Sequence, residues 1–340
     1  MSTAISVAAL GELVAGWMGQ GKLVAAPVQV RDKLLYQPLA KASDAVFDAR
    51  RRPANSIKEF LFPRHEEIFR YRFDGKEIAL GDPVADTRER ILIAAKPCDA
   101  AALPILDRVF NWDFEDSFYT ALRARTTVIA LACAAHDDAC FCTSVGLGPE
   151  SESGSDAMLF DLGDGKFEAR AITDKGRALF ADTAPNSERA AAAGPEPRFD
   201  AARVARYLES NFESPLWKQL TLACLGCGVC SYTCPTCHCF DIVDEGNAAG
   251  GARVKNWDSC QFPLFTLHAS GHNPRSAQPQ RQRQRVLHKF QIYPRKFDAV
   301  LCTGCGNCER NCPVGLGVLK VLQAIDGEAR KLDAQEPVQA

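Results

Sequence analysis

The cysteines of this 340-residue chain are the residues whose type and spacing predict chemistry. There are fifteen of them, and eight form two copies of one pattern. The copies are Cys224-x2-Cys227-x2-Cys230-x3-Cys234-Pro235 and Cys302-x2-Cys305-x2-Cys308-x3-Cys312-Pro313. This is the spacing of bacterial ferredoxins, in which three thiolates bind one [4Fe–4S] cluster and the fourth cysteine binds the neighbouring cluster. The pattern therefore predicts two clusters.

The spacing also predicts which cysteines share a cluster, because the fourth ligand of each motif crosses to the other one. The first predicted set is Cys224, Cys227, Cys230 and Cys312, and the second is Cys302, Cys305, Cys308 and Cys234. Zinc also binds Cys-x2-Cys pairs, so a zinc-stabilised scaffold without a redox role is the alternative. A zinc site, however, has no use for a third cysteine at the same interval and a trailing Cys-Pro pair, present twice.

Four further cysteines precede these motifs, and they are enough for one more metal site. They are Cys98, Cys133, Cys140 and Cys142. Cys98 and Cys133 each follow a short apolar segment that is typical of a buried strand, so neighbouring parallel strands would bring them to one edge of a sheet. A third [4Fe–4S] cluster, a zinc or other metal ion, and unrelated buried thiols are the alternatives.

Three cysteines, Cys237, Cys239 and Cys260, remain between the two motifs. They are either small buried residues beside a cluster or part of its environment. The same segment contains Arg281, Arg283 and Arg285, followed by His288 and Lys289. These basic residues either form a solvated helix face or interact with the clusters or a partner subunit.

The apolar pattern predicts an α/β domain followed by a mainly helical domain. Sixty-seven residues lie between Cys234 and Cys302, and an insertion of this size in a helical context resembles the α-helical ferredoxin domains of electron-transfer subunits. The first part is predicted to contain a partly parallel sheet, because short apolar strands alternate with helices. The predicted elements are buried strands at 90–95 and 126–132, hairpins at 24–39 and 158–172, and helices at 5–18 and after Pro97. A helix is predicted from Phe199 to about Leu222, and no strand of comparable strength after it. The predicted division is 1–185 for the α/β domain with the candidate third site, 186–198 for a linker, 199–330 for the two-cluster domain and 331–340 for a tail.

Composition excludes several other functions. The formal net charge is −2, so no global positive field attracts nucleic acid. The apolar runs are far shorter than the ~20 residues of a membrane span, and no secretory signal is visible, so we expect a cytoplasmic location. Neither a dinucleotide-binding glycine motif nor a nucleophile elbow is present in the sequence, so no catalytic residue is predicted.

Beyond the two motifs, several segments resemble the iron–sulfur β subunit of cytoplasmic sulfhydrogenases, which are NAD(P)-linked [NiFe] hydrogenases. The A subunit of anaerobic sulfite reductase is similar. The segments are Lys96-Pro97-Cys98-Asp99, Cys140-Phe141-Cys142, Cys234-Pro235-Thr236-Cys237-His238-Cys239-Phe240-Asp241, Trp257-Asp258-Ser259-Cys260 and Gly271-His272-Asn273-Pro274-Arg275. The resemblance covers roughly residues 55–320.

The resemblance implies an electron-transfer subunit that is not itself catalytic. Its expected partners are a subunit that binds FAD and NAD(P) and the small and large subunits of a [NiFe] hydrogenase. FAD and NAD(P) are expected only on that partner. An anaerobic sulfite reductase, or another reductase similar to heterodisulfide reductase, is the alternative complex.

Overall fold

The computed structural model describes residues 4–83, 86–180 and 190–335. The strands are β1 (Ile5–Ser6), β2 (Leu23–Val30), β3 (Lys33–Pro38), β4 (His65–Asp74), β5 (Glu77–Gly81), β6 (Arg90–Ala95), β7 (Thr126–Leu131), β8 (Ala157–Gly163), β9 (Lys166–Ala171), β10 (Phe240–Asn247) and β11 (Gly250–Trp257). The helices are α1 (Val7–Gly19), α2 (Pro97–Ala100), α3 (Ala102–Phe110), α4 (Ser117–Ala124), α5 (Asp174–Leu179), α6 (Ala201–Ser210), α7 (Leu216–Leu220), α8 (Val229–Tyr232), α9 (Gln278–Leu287), α10 (Tyr293–Phe297), α11 (Asn307–Arg310) and α12 (Val318–Gln335).

A seven-stranded mixed sheet forms the N-terminal part, in the order β1-β9-β8-β7-β6-β2-β3. Its central strands β2, β6, β7 and β8 are parallel, while the hairpins β2–β3 and β8–β9 are antiparallel. Strands β6 and β7 are apolar except for Arg90, Thr126 and Thr127 at their beginnings, because both faces of a parallel sheet are covered. The predicted partly parallel sheet, its two buried strands and both hairpins are confirmed.

Apolar cores cover both faces of this sheet. On one face, Leu10 and Val14 of α1 pack against Ile91 and Ile93 of β6. On the other, Leu92 packs in a cluster with α3 and with residues 57–62. A third core joins α6, α9 and α12 to Phe141 from the loop after β7. The loop that contains two of the N-terminal cysteines is therefore held against the C-terminal helices.

A second, four-stranded antiparallel sheet has the order β10-β11-β4-β5. Strands β10 and β11 lie within 199–330, so the expectation that no strand follows the predicted helix is wrong. Most side chains of β10 are exposed, and such a ribbon lacks the continuous apolar run by which a buried strand is recognised. The sheet combines strands from both sides of the predicted linker, and the division into domains stays a prediction.

The remaining C-terminal elements are helical. The single helix predicted from Phe199 to Leu222 is wrong, because two helices, α6 and α7, replace it and Pro215 precedes the second. Helix α9 continues through a π-helical turn at His288–Ile292 into α10. Of the predicted linker, residues 186–189 lie outside the described residues, and 190–198 have no regular secondary structure. Within this segment, the Pro195 carbonyl oxygen accepts a hydrogen bond from Thr143.

Candidate metal centres

The first predicted ligand set lies together around one cavity. This cavity, of ≈ 340 Å³, is lined by Cys224, Cys227, Cys230 and Cys312 together with Gln261 and Gln282. The motif can wrap around it because Gly226 and Gly228 adopt positive φ angles of 65° and 74°, a conformation that glycine adopts without strain. Cys312 reaches the cavity from the second motif, as the crossed-ligand rule predicts.

The N-terminal set also surrounds one cavity, again of ≈ 340 Å³ and lined by Cys98, Cys133, Cys140 and Cys142. Cys98 follows β6 and Cys133 follows β7, and these strands are parallel neighbours. The sheet edge therefore brings these two thiols together, as predicted, and the loop after Cys133 folds back to contribute the other two. Because all four side chains face the same space, the interpretation of these cysteines as unrelated buried thiols loses its support.

The second predicted set is the most deeply buried of the three. All four of its cysteines are buried: Cys234, Cys302, Cys305 and Cys308. Burial raises the pKa of the Cys302 thiol to about 12 and also raises those of Cys305 and Cys308, and a Cys234 thiolate raises each of them further. Four thiolates this close together are stable only when bound to a positively charged group such as iron.

The three sets lie in a row with the second in the middle. Gly304 lines the cavity of the N-terminal set, and the charge of Cys98 acts on Cys305. Arg285 interacts with Cys230 of the first set and Cys308 of the second. The second set is therefore a neighbour of both of the others and is placed to relay electrons between them.

Two buried cations lie beside the second set. Lys289, only 2 % exposed, donates to Cys234 Sγ at 3.4 Å and to two oxygen atoms. Lys58, equally buried, donates to the carbonyl oxygens of Ser231 and Cys237. Burial lowers the pKa of Lys58, whereas at Lys289 the thiolates, Cys234 foremost, overcome burial and raise it. Cations without a carboxylate partner are expected beside an anionic cluster.

Two arginines lie beside the sulfurs of the N-terminal set. The Arg52 guanidinium lies 3.8 Å from Cys98 Sγ and 3.5 Å from Cys133 Sγ. Arg310 donates to Cys140 Sγ at 3.1 Å and forms an ion pair with Asp137 at 2.7 Å. Burial opposes the charge of Arg52, but the neighbouring thiolates, Cys98 first, raise its pKa. The donors and their charge fit a cluster held by four thiolates.

The sequence had singled out some of these basic residues but not others. Of the arginines in α9, Arg281 and Arg285 are buried, so the solvated-face interpretation is wrong for both. Arg283 instead stacks on Phe212 at 3.6 Å and pairs with Glu213. Arg52 and Lys58 were missed, because nothing in the sequence shows that a single basic residue far from the motifs faces sulfur.

In the described ranges, no group of three or more His, Cys, Asp or Glu side chains converges closely enough to hold one metal ion. The donor chemistry of each set, four thiols around a shared space with cations at its edge, fits a polynuclear iron–sulfur cluster. That these cysteines bind clusters stays a prediction.

The contact between the N-terminal and second sets leads to a stability prediction at Gly304. A Cβ there would lie 2.5 Å from the backbone of Cys142, and the φ of +62° is unfavourable for any other residue. The Phe141 amide also donates to Gly304 O at 3.0 Å. We expect Gly304→Ala to separate these segments and to destabilise the protein by more than ~3 kcal/mol, which thermal unfolding of the anaerobic protein measures.

Gly315 offers a matched control for this experiment. Its φ is also +62°, but no atom of a non-adjacent residue in the described part of the chain lies within 4 Å of the Cβ position. Gly315→Ala should therefore cost only the conformational strain, about 1 kcal/mol. Equal melting temperatures for the two variants would contradict the close contact between the segments.

Comparison with known proteins first defines the class. Residues 223–316 match the family described as "4Fe-4S dicluster domain", and this range contains all eight cysteines of the two motifs. The protein is therefore an iron–sulfur protein.

The particular family follows from a longer match. The chain is 30% identical over 249 residues to "Sulfhydrogenase 2 subunit beta" of Pyrococcus furiosus, which covers 69% of this chain and 73% of the relative. The chain therefore belongs to the family of iron–sulfur β subunits of sulfhydrogenase, and the resemblance predicted from the sequence is confirmed. No solved structure matches the chain. Among the described residues, no helix combines the length and the apolar character of a membrane span.

Proposed function

We propose that this chain carries single electrons through three [4Fe–4S] clusters between a subunit that binds FAD and NAD(P) and a [NiFe] hydrogenase module. The observation that carries the proposal is the row of three four-cysteine sets, with the second set between the other two. Bound clusters would supply one-electron carriers. The proposed ligands are Cys224, Cys227, Cys230 and Cys312; Cys302, Cys305, Cys308 and Cys234; and Cys98, Cys133, Cys140 and Cys142.

The protein's own residues contribute burial and positive charge. Lys289, Arg52 and Arg310 donate hydrogen bonds to ligand sulfurs, and such donors stabilise the more negative, reduced state of a cluster. Hydrogen-bond donors on the second and N-terminal sets therefore help the chain to accept electrons. The chain needs no substrate pocket of its own for this role.

Each end of the row has a surface that suits a partner. Next to the first set, Leu225, 67% exposed, and Val314 lie at the rim of the cavity, and exposed apolar residues grouped in this way are typical of protein interfaces. Next to the N-terminal set, Arg50, Arg51 and Arg52 line an open cleft.

The alternative complex is a sulfite reductase or another reductase, in which the same row would supply electrons to different chemistry. The hydrogenase and reductase complexes can be distinguished by isolating the native complex under anaerobic conditions through a tag on this chain. We expect mass spectrometry to identify a flavoprotein and a large subunit with the two Cys-x-x-Cys pairs of a [NiFe] site. A sirohaem subunit in its place would reject the hydrogenase assignment.

The third cluster is tested separately by its iron. With three clusters, the anaerobic protein should contain about twelve iron atoms, and Cys98→Ser/Cys140→Ser about eight. Iron analysis and the visible absorbance of the clusters measure the difference. About eight irons in both proteins would exclude a third cluster and leave the two-cluster protein intact.

A further inference from the structure

Three cysteines belong to none of the proposed ligand sets, and the structure divides them into two kinds. Cys237 is buried, and its thiol donates to Cys234, the ligand of the second set. It is only 7 % exposed. Cys239 and Cys260 are both partly exposed and form a hydrogen-bonded pair with each other.

The β10–β11 hairpin brings this pair together. Phe240 pairs with Trp257 at the open end of the hairpin, and the Asp258 amide donates to Cys239 O at 3.0 Å, which extends the pairing by one step. Cys239 thus precedes one strand, and Cys260 lies three residues after the other. The two thiols meet because their strands are paired, although twenty residues separate them in sequence.

The loop that contains Cys260 is fixed on both sides of it. Ser259 is completely buried and bonds to Ser231 at 2.6 Å, and Gln261 Nε2 donates to the Arg281 carbonyl oxygen at 3.2 Å. Cys260 therefore cannot easily move away from Cys239. A preorganised pair of this kind needs little rearrangement to form a bond between its sulfurs.

The surroundings favour a reactive thiolate on Cys260. The hydrogen bond from Cys239 is the main cause that lowers the pKa of Cys260, and Gln261, Arg285 and Lys289 lower it further. Gln261 Nε2 lies 3.6 Å from the sulfur. The thiol of Cys239 has a raised pKa, because it donates to Cys260. Partly exposed cysteines in a positive environment are the ones that undergo thiol–disulfide exchange.

We propose that Cys239 and Cys260 form a reversible dithiol/disulfide site that reacts with low-molecular-weight disulfides. Neither cysteine belongs to a proposed ligand set, so the site goes beyond the proposed electron-transfer function. It would make the protein sensitive to the thiol redox state of its surroundings at a position next to the buried cations of the second set.

The reaction has two balanced steps. The Cys260 thiolate attacks one sulfur of the small disulfide, its S–S bond breaks, and one thiolate leaves, so that a mixed disulfide remains on Cys260. The Cys239 sulfur, after losing its proton to solvent, then attacks Cys260 Sγ and displaces the second thiolate. In sum, two protein thiols are oxidised to one disulfide, while one small disulfide is reduced to two thiols.

Glutathione disulfide is a suitable probe for the full-length, anaerobically purified protein. After incubation, free thiols are alkylated, and the digest is analysed by mass spectrometry for a peptide that links Cys239 to Cys260. We expect this peptide in the wild type and its return to two alkylated peptides after addition of reduced glutathione. Cys260→Ser should form no adduct at this site, whereas Cys239→Ser should accumulate glutathione on Cys260.

Cys237→Ser is the matched control, because it removes the buried neighbour and leaves the pair in place, so the linked peptide should still form. Absence of the linked peptide from a protein with its full iron content would overturn the proposal. A loss of iron in both Cys239→Ser and Cys260→Ser would overturn it as well, since the pair would then bind a cluster. Neither result depends on which complex the chain serves.

Discussion

Cys308→Ala should stop electron flow through the complex, although the cysteine contacts no substrate. Cys308 belongs to the second set, which lies between the other two, and its loss should remove about four irons from the middle of the row. Because the second set interacts with both of the others, NAD(P)-linked turnover of the isolated complex should fall to background. Iron analysis and the activity of the same preparation are the two measurements.

A matched thiol variant separates this effect from general damage. Cys237 is also buried, and its thiol contacts Cys234 of the same set, but it is not a proposed ligand. Cys237→Ala should therefore keep the iron content and most of the turnover. The same partner subunits should be isolated with both variants, because the second set is buried. Unchanged turnover in Cys308→Ala would reject the electron-transfer proposal.

The sequence predicted those features that leave a local pattern. The strands at 90–95 and 126–132 were predicted because a strand covered on both faces is apolar throughout. Cys98 and Cys133 were placed at one sheet edge by the same argument. The crossed pairing of Cys312 with the first motif followed from spacing alone, and the structure brings these residues to one cavity.

The features that the sequence did not predict depend on contacts between segments that are distant in sequence. Strands β4 and β10 were missed because they are largely exposed ribbons with many charged residues, and such ribbons resemble loops in sequence. Arg285 lies in the run Gln280–Arg285, in which glutamine and arginine alternate, a pattern typical of a solvated helix face. Only the fold shows that this arginine points inward to the sulfurs.

Arg285 is also the residue whose charge should matter most to the clusters. Its side chain is 2 % exposed, and Nε and Nη1 have no hydrogen-bond partner among the described residues. Nη2 donates to Cys230 O at 3.4 Å. Burial opposes the charge, yet the thiolates, Cys230 first and Cys308 next, raise the pKa of Arg285 well above its ordinary value. A buried cation in this position needs an anion on both sides, which two bound clusters would provide.

Replacement of Arg285 by methionine should therefore lower the reduction potentials of the first and second clusters together. Loss of a nearby positive charge destabilises the reduced, more negative state, and we expect at least tenfold less reduced cluster at a fixed potential, or about 59 mV for a one-electron couple. Redox titration followed by electron paramagnetic resonance measures both potentials. Arg285→Lys keeps the charge, so both reduction potentials should stay close to those of the unaltered protein.

Arg283→Met provides the control on the same helix, because Arg283 faces Phe212 and Glu213 instead of the ligand sulfurs. It should leave both potentials unchanged. A shift in only one cluster would place Arg285 beside a single set, and no shift in Arg285→Met would show that its charge is balanced by something other than the clusters. A shift of both potentials requires that the one buried guanidinium of Arg285 acts on two neighbouring clusters. The clusters are neighbours because the two motifs exchange their fourth ligands.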